Sequence, residues 1–252
     1  MIEISNLTKR YGNVTAISGM NLTIPSGQFF GFLGPNGAGK TTTIKTIVGL
    51  LKPTSGTVKV DGIDVQANPI EAKRVVGFIP DKPFIYEKLT GREVLHFVAG
   101  LYEVAPHLVD ERIDQLLDMF ELSDWKDELV ESYSHGMRQK IVMSTALIHQ
   151  PKVIVVDEPM VGLDPKGARQ VKKIFKELCE QGTTIFMSTH TLEIAEQMCD
   201  YIAIIQKGSI IAQGTISELR VTAQTGFTKL EDIFLELTGG QEMNDVIEFL
   251  KH

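Results

Sequence analysis

The chain has 252 residues, enough for one large α/β domain or two small ones, and 43% of them are hydrophobic, so a sizeable core can form. The formal charge of −7 argues against general nucleic-acid binding. Its two cysteines, Cys179 and Cys199, lack C-x-x-C spacing, which speaks against a disulfide framework or a zinc site and for two reduced thiols.

Met1-Ile-Glu-Ile-Ser-Asn6 has neither a basic region nor an apolar stretch, so a signal peptide is not expected. No apolar run approaches the roughly 18 residues of a spanning helix, and any membrane role is expected to come through a partner. Short apolar runs at 2–7, 16–24 and 28–33 alternate with turns and predict an antiparallel β start that leads into a buried strand. Then come Gly34, Pro35, Asn36, Gly37, Ala38, Gly39, Lys40, Thr41 and Thr42, which read G-x-x-x-x-G-K-[ST]. Glycines remove the Cβ atoms that would keep backbone N–H groups from phosphate oxygens. Lys40 can reach β- and γ-phosphates, and the Thr41 hydroxyl can ligate Mg²⁺. A strand before the loop and a helix from Lys40 to about 51 give the motif the context it requires.

A turn at 53–56, a strand at 57–60 and Asp61-Gly62 predict a hairpin, and another strand at 75–79 stops at Pro80. From 91 to 149 the pattern is helical, with Ile113, Leu116, Leu117 and Phe120 on one apolar face. Strands are expected again at 152–156, 183–187 and 201–205, with an amphipathic helix at 165–180. Strands alternating with helices predict an α/β fold with a parallel sheet and right-handed crossovers. Residues 81–150 are expected to form a helical subdomain inserted into a core of 1–80 and 151–214. From 215 to 252 a short helical tail is expected, with Gly239-Gly240 setting off the last segment.

Three further features point at the glycine loop. The apolar run 153–156 ends in Asp157 and Glu158. At the C-terminal end of a central strand, Asp157 would face the loop and hold Mg²⁺, and Glu158 would polarise a water for attack on the γ-phosphate. Ser134 is a good N-cap for a helix running on through Ile141 and Val142, and such an N-terminus favours anions. His190 follows a strand expected to lie beside the Asp157–Glu158 strand, where an imidazole can donate a hydrogen bond.

With these motifs in order from about residue 2 to 240, the chain resembles the ATPase subunit of an ATP-binding cassette (ABC) transporter. The resemblance implies a P-loop NTPase (RecA-like) core with an N-terminal antiparallel β subdomain, together forming an ABC ATPase domain over 1–240. Tyr11 matches the adenine-stacking aromatic, 34–41 match Walker A, and 153–158 match Walker B. Residues 133–137 match the signature motif, Gly162-Leu-Asp164 the D-loop, and His190 the switch histidine. It further implies catalytic roles for Glu158, His190 and Lys40. Ser134 and Gly136 would bind the γ-phosphate of ATP held by an opposite subunit, and Asp164 would lie at that interface. The implied partners are a second ATPase subunit, identical or a paralogue, and a separately encoded membrane permease, with no nucleic acid. The implied location is cytoplasmic, at the inner face of the cell membrane.

The chain departs from the family pattern at two motifs. The signature reads Tyr133-Ser-His-Gly-Met137 in place of Leu-Ser-Gly-Gly-Gln, a variant similar to that of ATPases serving ABC-2 type exporters. Met137 has no donor for the ribose contact that a glutamine makes. Asp81 stands where the family carries the Q-loop glutamine; a carboxylate there is expected to keep a contact to Mg²⁺ and to make closure on ATP more Mg²⁺-dependent. Leu89-Thr-Gly-Arg-Glu93 matches the stretch beside the permease groove, to which Phe84, Ile85 and Tyr86 could contribute, core packing being the alternative for each. A non-transport ABC ATPase of translation or repair is the competing function. Against it stand the single cassette, the absence of heptads in the insert, and the acidic charge. A P-loop GTPase would carry Asn-Lys-x-Asp, which is absent.

Overall fold

The computed structural model describes residues 1–82, 84–160, 163–222 and 230–238. Strands β1 (Ile2–Tyr11) and β2 (Val14–Ile24) pair antiparallel and lead to β3 (Phe29–Leu33), the glycine loop and helix α1 (Lys40–Ile47). β4 (Ser55–Val60) and β5 (Ile63–Asp64) form the expected hairpin. Asp61 and Gly62 both take positive φ, 50° and 79°, as a tight hairpin turn demands. These outer strands make a four-stranded sheet in the order β2-β1-β4-β5. A short helix α2 (Pro69–Arg74) precedes β6 (Val76–Ile79), and three helices follow: α3 (Gly91–Leu101), α4 (Pro106–Met119) and α5 (His135–Leu147).

The second half supplies β7 (Val153–Asp157), α6 (Pro165–Glu180), β8 (Thr184–Thr189), α7 (Leu192–Met198), β9 (Tyr201–Gln206) and β10 (Ser209–Gly214). The main sheet runs β10-β9-β3-β8-β7-β6, parallel throughout except for β10 at its edge. β3, β7 and β8 are buried along their whole lengths, which is why 153–156 reads as an unbroken apolar run rather than an alternating one.

Side chains of these strands alternate between two apolar clusters, one on each face of the sheet. Phe30, Phe32, Val153, Val155, Phe186 and Ile205 pack toward the antiparallel sheet and Ile44 and Ile47 of α1. Phe186 lies against Phe30 and Phe32, with ring centroids 5.6 and 5.2 Å away. Phe29, Leu33, Ile154, Val156, Ile185 and Met187 pack toward the helices. The stripe Ile113, Leu116, Leu117 and Phe120 joins that second cluster, so the helical segment shares its apolar packing with the sheet. Helices α8 (Ile216–Thr222) and α9 (Leu230–Thr238) add Leu219, Leu230 and Ile233 to it. The Gly239-Gly240 break and the segment after it lie outside the described residues. Among the described residues no helix is long and apolar enough to cross a membrane.

Several elements differ from expectation. β1 and β2 extend to Tyr11 and from Val14, because the β1–β2 ladder continues to the Tyr11–Val14 pair through irregular register. α2 went unread although Pro69 sits in its first turn after Asn68. β10 went unread although Lys207 and Gly208, at φ 47° and 82°, carry the two positive-φ positions of a hairpin turn.

His149, just past α5, offers a stability test. Its Nε2 lies 3.1 Å from the Val76 carbonyl and its ring stacks on Tyr102 at 3.8 Å. Burial pulls its pKa from 6.5 down to about 4; the Val76 bond opposes this and the Arg112 charge adds to it. The folded chain therefore keeps the ring neutral while the unfolded chain protonates it. This stabilisation is complete above pH 6.5 and is lost as pH falls toward 4. Between about pH 7.5 and about pH 4.5 the wild type should lose about 2–3 kcal/mol more than a His149→Gln variant. Urea midpoints at the two pH values check it; equal losses would contradict it.

Candidate active site

The glycine loop leaves β3 at the C-terminal edge of the main sheet, and its shape depends on glycine at two positions. A Cβ on Gly34 would lie 2.4 Å from the Ile205 carbonyl oxygen. Gly39 takes φ 113°, and a Cβ there would lie 2.6 Å from the Ala16 carbonyl oxygen. The loop thus sits tightly between β9 and β2. Pro35 and Ala38 hold it through backbone: Ala38 N–H donates to the Pro35 carbonyl and the Ala38 carbonyl accepts from Gly208 N–H. Helix α1 begins at Lys40 without a side-chain cap or an acidic residue in its first turn. Its N–H groups and positive dipole end therefore face the loop and suit an anion.

Lys40 Nζ donates to the Gly34 and Pro35 carbonyls at 2.6 and 3.1 Å. Burial pulls its ammonium below the usual lysine range, and the Glu158 and Asp157 carboxylates work the other way. Thr41 Oγ1 lies 3.5 Å from Asp157 Oδ2, across the β8 strand that separates β3 from β7. Asp157 also accepts a short hydrogen bond from the Ser188 hydroxyl, its register partner on β8. Burial pushes the Asp157 carboxyl above its usual range, with the charges of Glu158 and Asp81 pushing further; Ser188 and Lys40 oppose them.

Glu158 takes φ 53°, left-handed backbone that a non-glycine residue adopts at a cost of about 1–3 kcal/mol. The turn is held by its N–H bonding to the Ser188 carbonyl at 3.1 Å. Its carboxylate accepts from Thr189 Oγ1 at 3.0 Å, His190 N–H at 2.9 Å and His190 Nδ1 at 2.6 Å. Because a carboxylate only accepts, Nδ1 carries the proton in that contact. The Glu158 side chain is 13% exposed and that of His190 is 62% exposed. An oriented, nearly buried carboxylate with a free edge on a cleft can align a water and take its proton.

The open cleft, about 500 Å³, is walled by the loop, the first turn of α1, Asp81, Asp157, Glu158 and His190. Asn36, Gly37, Lys40, Thr41 and Thr42 thus meet the chosen acids and histidine in one place. Tyr11, at the end of β1, lies outside that wall, 48% exposed, with the Lys9 ammonium over its ring. Ser134 and Gly136 also lie outside it. Ser134 caps α5, its hydroxyl accepting from Met137 N–H at 3.3 Å on an exposed surface. Asp164 caps α6 through Gly167 N–H at 2.8 Å. Gly162 of the same motif lies outside the described residues. Ser188 and Thr189 orient both carboxylates and were not singled out from sequence; the signal was their place as the polar end of an otherwise apolar strand.

Oxygen donors at Thr41 and Asp157 suit a hard cation. Among the described residues no three His, Cys, Asp or Glu side chains form a metal cage. Mg²⁺ bound with nucleotide needs only one or two protein ligands, the rest coming from phosphates and water, so the pair fits it.

A phosphate loop between strand and helix, with carboxylates at the end of a neighbouring parallel strand, defines a P-loop nucleotide triphosphatase. The sequence profile of the family described as ABC transporter matches residues 17–161, and the chain belongs to that family. It is 38% identical over 229 residues to the daunorubicin/doxorubicin resistance ATP-binding protein DrrA of Streptomyces peucetius, covering 91% of this chain and 69% of that one. It is 37% identical to the bacitracin transport ATP-binding protein BcrA of Enterococcus faecalis, over 87% and 70% of the two chains. A solved ATP-binding subunit of an ABC transporter superposes with a TM-score of 0.89 at 30% identity, over 94% and 99%. A dimeric ATP-binding cassette in a post-hydrolysis state with ADP and Pi superposes at 0.78 and 26%, over 86% and 99%. The chain is an ATP-binding, ATP-hydrolysing subunit of the ABC transporter kind, a family whose ATPase domains dimerise and work with membrane permeases.

Proposed function

We propose that this ATPase drives export through a separately encoded permease, and that each of its ATP sites is built from two chains. The hydrolytic step is supported by the Glu158 carboxylate, fixed by Thr189 and His190 on the wall of the cleft that holds Lys40 and Thr41, and the observation that carries the two-chain site is Ser134, exposed at the start of α5 and outside that cleft. Glu158 accepts the proton of the attacking water, and His190 orients Glu158 and faces the γ-phosphate. Lys40 leaves the Gly34 and Pro35 carbonyls for the β- and γ-phosphates, the loop from Gly34 to Thr42 wraps them, and Tyr11 stacks on adenine. Thr41, Asp157 and Asp81 hold Mg²⁺, which when bound neutralises phosphate charge.

Ser134 and Gly136 lie outside the cleft, on an exposed helix start. They serve the ATP of the opposite subunit, a second copy or a paralogue, with Asp164 at the shared interface. Residues 1–80 and 151–214 form the nucleotide-binding core, 81–150 carry the helical part, and the tail follows from 215. The permease docks on exposed aromatics beside the Q-loop: Phe84 is 89% and Tyr86 54% exposed, and Phe84, Tyr86 and Phe97 form a chain of ring contacts. Phe84 and Tyr86 do not pack in the core, whereas Ile85 is half-buried against it. Thr90 and Glu93 form a capping box that starts α3, which fixes the wall behind that surface.

The chain thereby works at the cytoplasmic face of a membrane, and the names of its drug-resistance and bacitracin relatives support export. Pull-down of the tagged chain from detergent-solubilised native membranes should bring one polytopic subunit with it. A Phe84→Asp, Tyr86→Asp chain should lose that partner while folding normally; retention of the partner would contradict the docking surface.

A further inference from the structure

Asp81 borders two cavities. It lines the phosphate cleft with Thr41, Asp157 and Glu158, and it also lines a groove of about 710 Å³ with Tyr86, Glu87, His135 and Arg138. Among the described residues it is the one shared by both walls. Its charge is felt in the cleft, where it helps raise the Asp157 carboxyl.

The charged and titratable residues lining the groove are Asp81, Lys82, Glu87, His135 and Arg138. Arg138 is already committed. It pairs with Glu87 at 2.6 Å and donates to the Tyr133 and Glu131 carbonyls at 3.1 and 2.8 Å. Glu87 is committed with it. Lys82 also lines the groove, but as the chain neighbour of Asp81 it links it to no other element. His135, exposed at the first position of α5, is then the uncommitted group from another element that lines the groove with Asp81. Among the described residues neither the Asp81 nor the His135 side chain has a hydrogen-bond or ion-pair partner. The two side chains that depart most in chemistry from the family pattern thus face one space.

We propose that His135 is a positioning residue for Asp81. It draws the Asp81 carboxylate into the groove, so that occupation of the cleft and closure of the groove compete for one side chain. Through this contact the signature helix of a chain senses its own nucleotide, besides serving the opposite one. The inference rests on the cleft being the Mg²⁺–ATP site.

The test uses the isolated full-length chain, diluted until monomeric, so that no signature loop reaches a nucleotide from another subunit. Binding of a fluorescent, non-hydrolysable ATP analogue is titrated with Mg²⁺. An exposed contact between a side-chain donor and a carboxylate changes an equilibrium by about two- to fivefold. His135→Gln should lower the Mg²⁺ concentration for half-maximal binding by that factor, and His135→Lys should restore the wild-type value. In an Asp81→Asn background the three residues at position 135 should give the same value. Equal values for wild type and His135→Gln, or an undiminished difference in the Asp81→Asn background, would overturn the proposal. A Lys40→Ala chain that bound the analogue as tightly as wild type would instead overturn the assignment of the cleft, and the proposal with it.

Discussion

Glu158→Gln is expected to lower ATP turnover by about 10²–10⁴-fold, the usual contribution of a general base, while ATP affinity stays within a few-fold. The geometry separates the two effects. The carboxylate bonds to Thr189 and His190, not to the loop or α1, and Asp157 still faces Lys40 when the Glu158 charge is removed, so the phosphate grip is largely kept. Glutamine keeps the size and, with its Oε1 toward His190, still accepts from His190 N–H, while its amide N–H group faces the Thr189 hydroxyl oxygen. It cannot take a proton from water at neutral pH. Single-turnover hydrolysis alongside equilibrium ATP binding measures both. Turnover near the wild-type rate would remove Glu158 from the chemistry.

Lys40→Ala is expected to lower kcat/KM for ATP by about 10²–10³-fold, the cost of losing one preorganised donor to developing charge. Lys40 is buried at the floor of the loop and positioned by the Gly34 and Pro35 carbonyls, and among the described residues it is the one lysine or arginine lining the cleft. Its removal also leaves Asp157 and Glu158 without the positive charge that faces them. A Lys40→Arg variant should not restore activity. The planar guanidinium is larger than the point charge the loop encloses, and it cannot direct one donor into the same space. Steady-state kinetics with a melting control would check both variants; recovery in Lys40→Arg would contradict the account.

Much of this was legible in the sequence because the relevant physics is local. A phosphate loop needs glycines at fixed spacing, and the run 153–158 announces a buried strand ending in charge. The helix at 165–180 was visible end to end from its amphipathic pattern, whereas the Asp164 cap at its start emerged only with the structure. Other features depended on tertiary partners. Ser188 and Thr189 matter because β8 lies in register with β7, and single-sequence patterning carries no register. The left-handed turn at Glu158 has no glycine to betray it and is held by a bond to the next strand. Phe84 and Tyr86 were ambiguous because an aromatic reads alike in a core and on a docking surface; only their exposure separates the two. The double position of Asp81 required the cavities themselves.

The central claim is that one ATP site is made from two chains, the loop side from one and Ser134 from the other. Mixing two inactive variants tests it directly. Lys40→Ala disables the loop side. Ser134→Asp keeps a good N-cap on α5 but sets a negative charge against the γ-phosphate. Each variant alone should be nearly inactive. A mixture contains heterodimers in which the intact loop of the Ser134→Asp chain meets the intact Ser134 of the Lys40→Ala chain, so ATPase activity should reappear on mixing and peak near equal amounts. Activity in the mixture no greater than the sum of the separate variants would contradict the composite site.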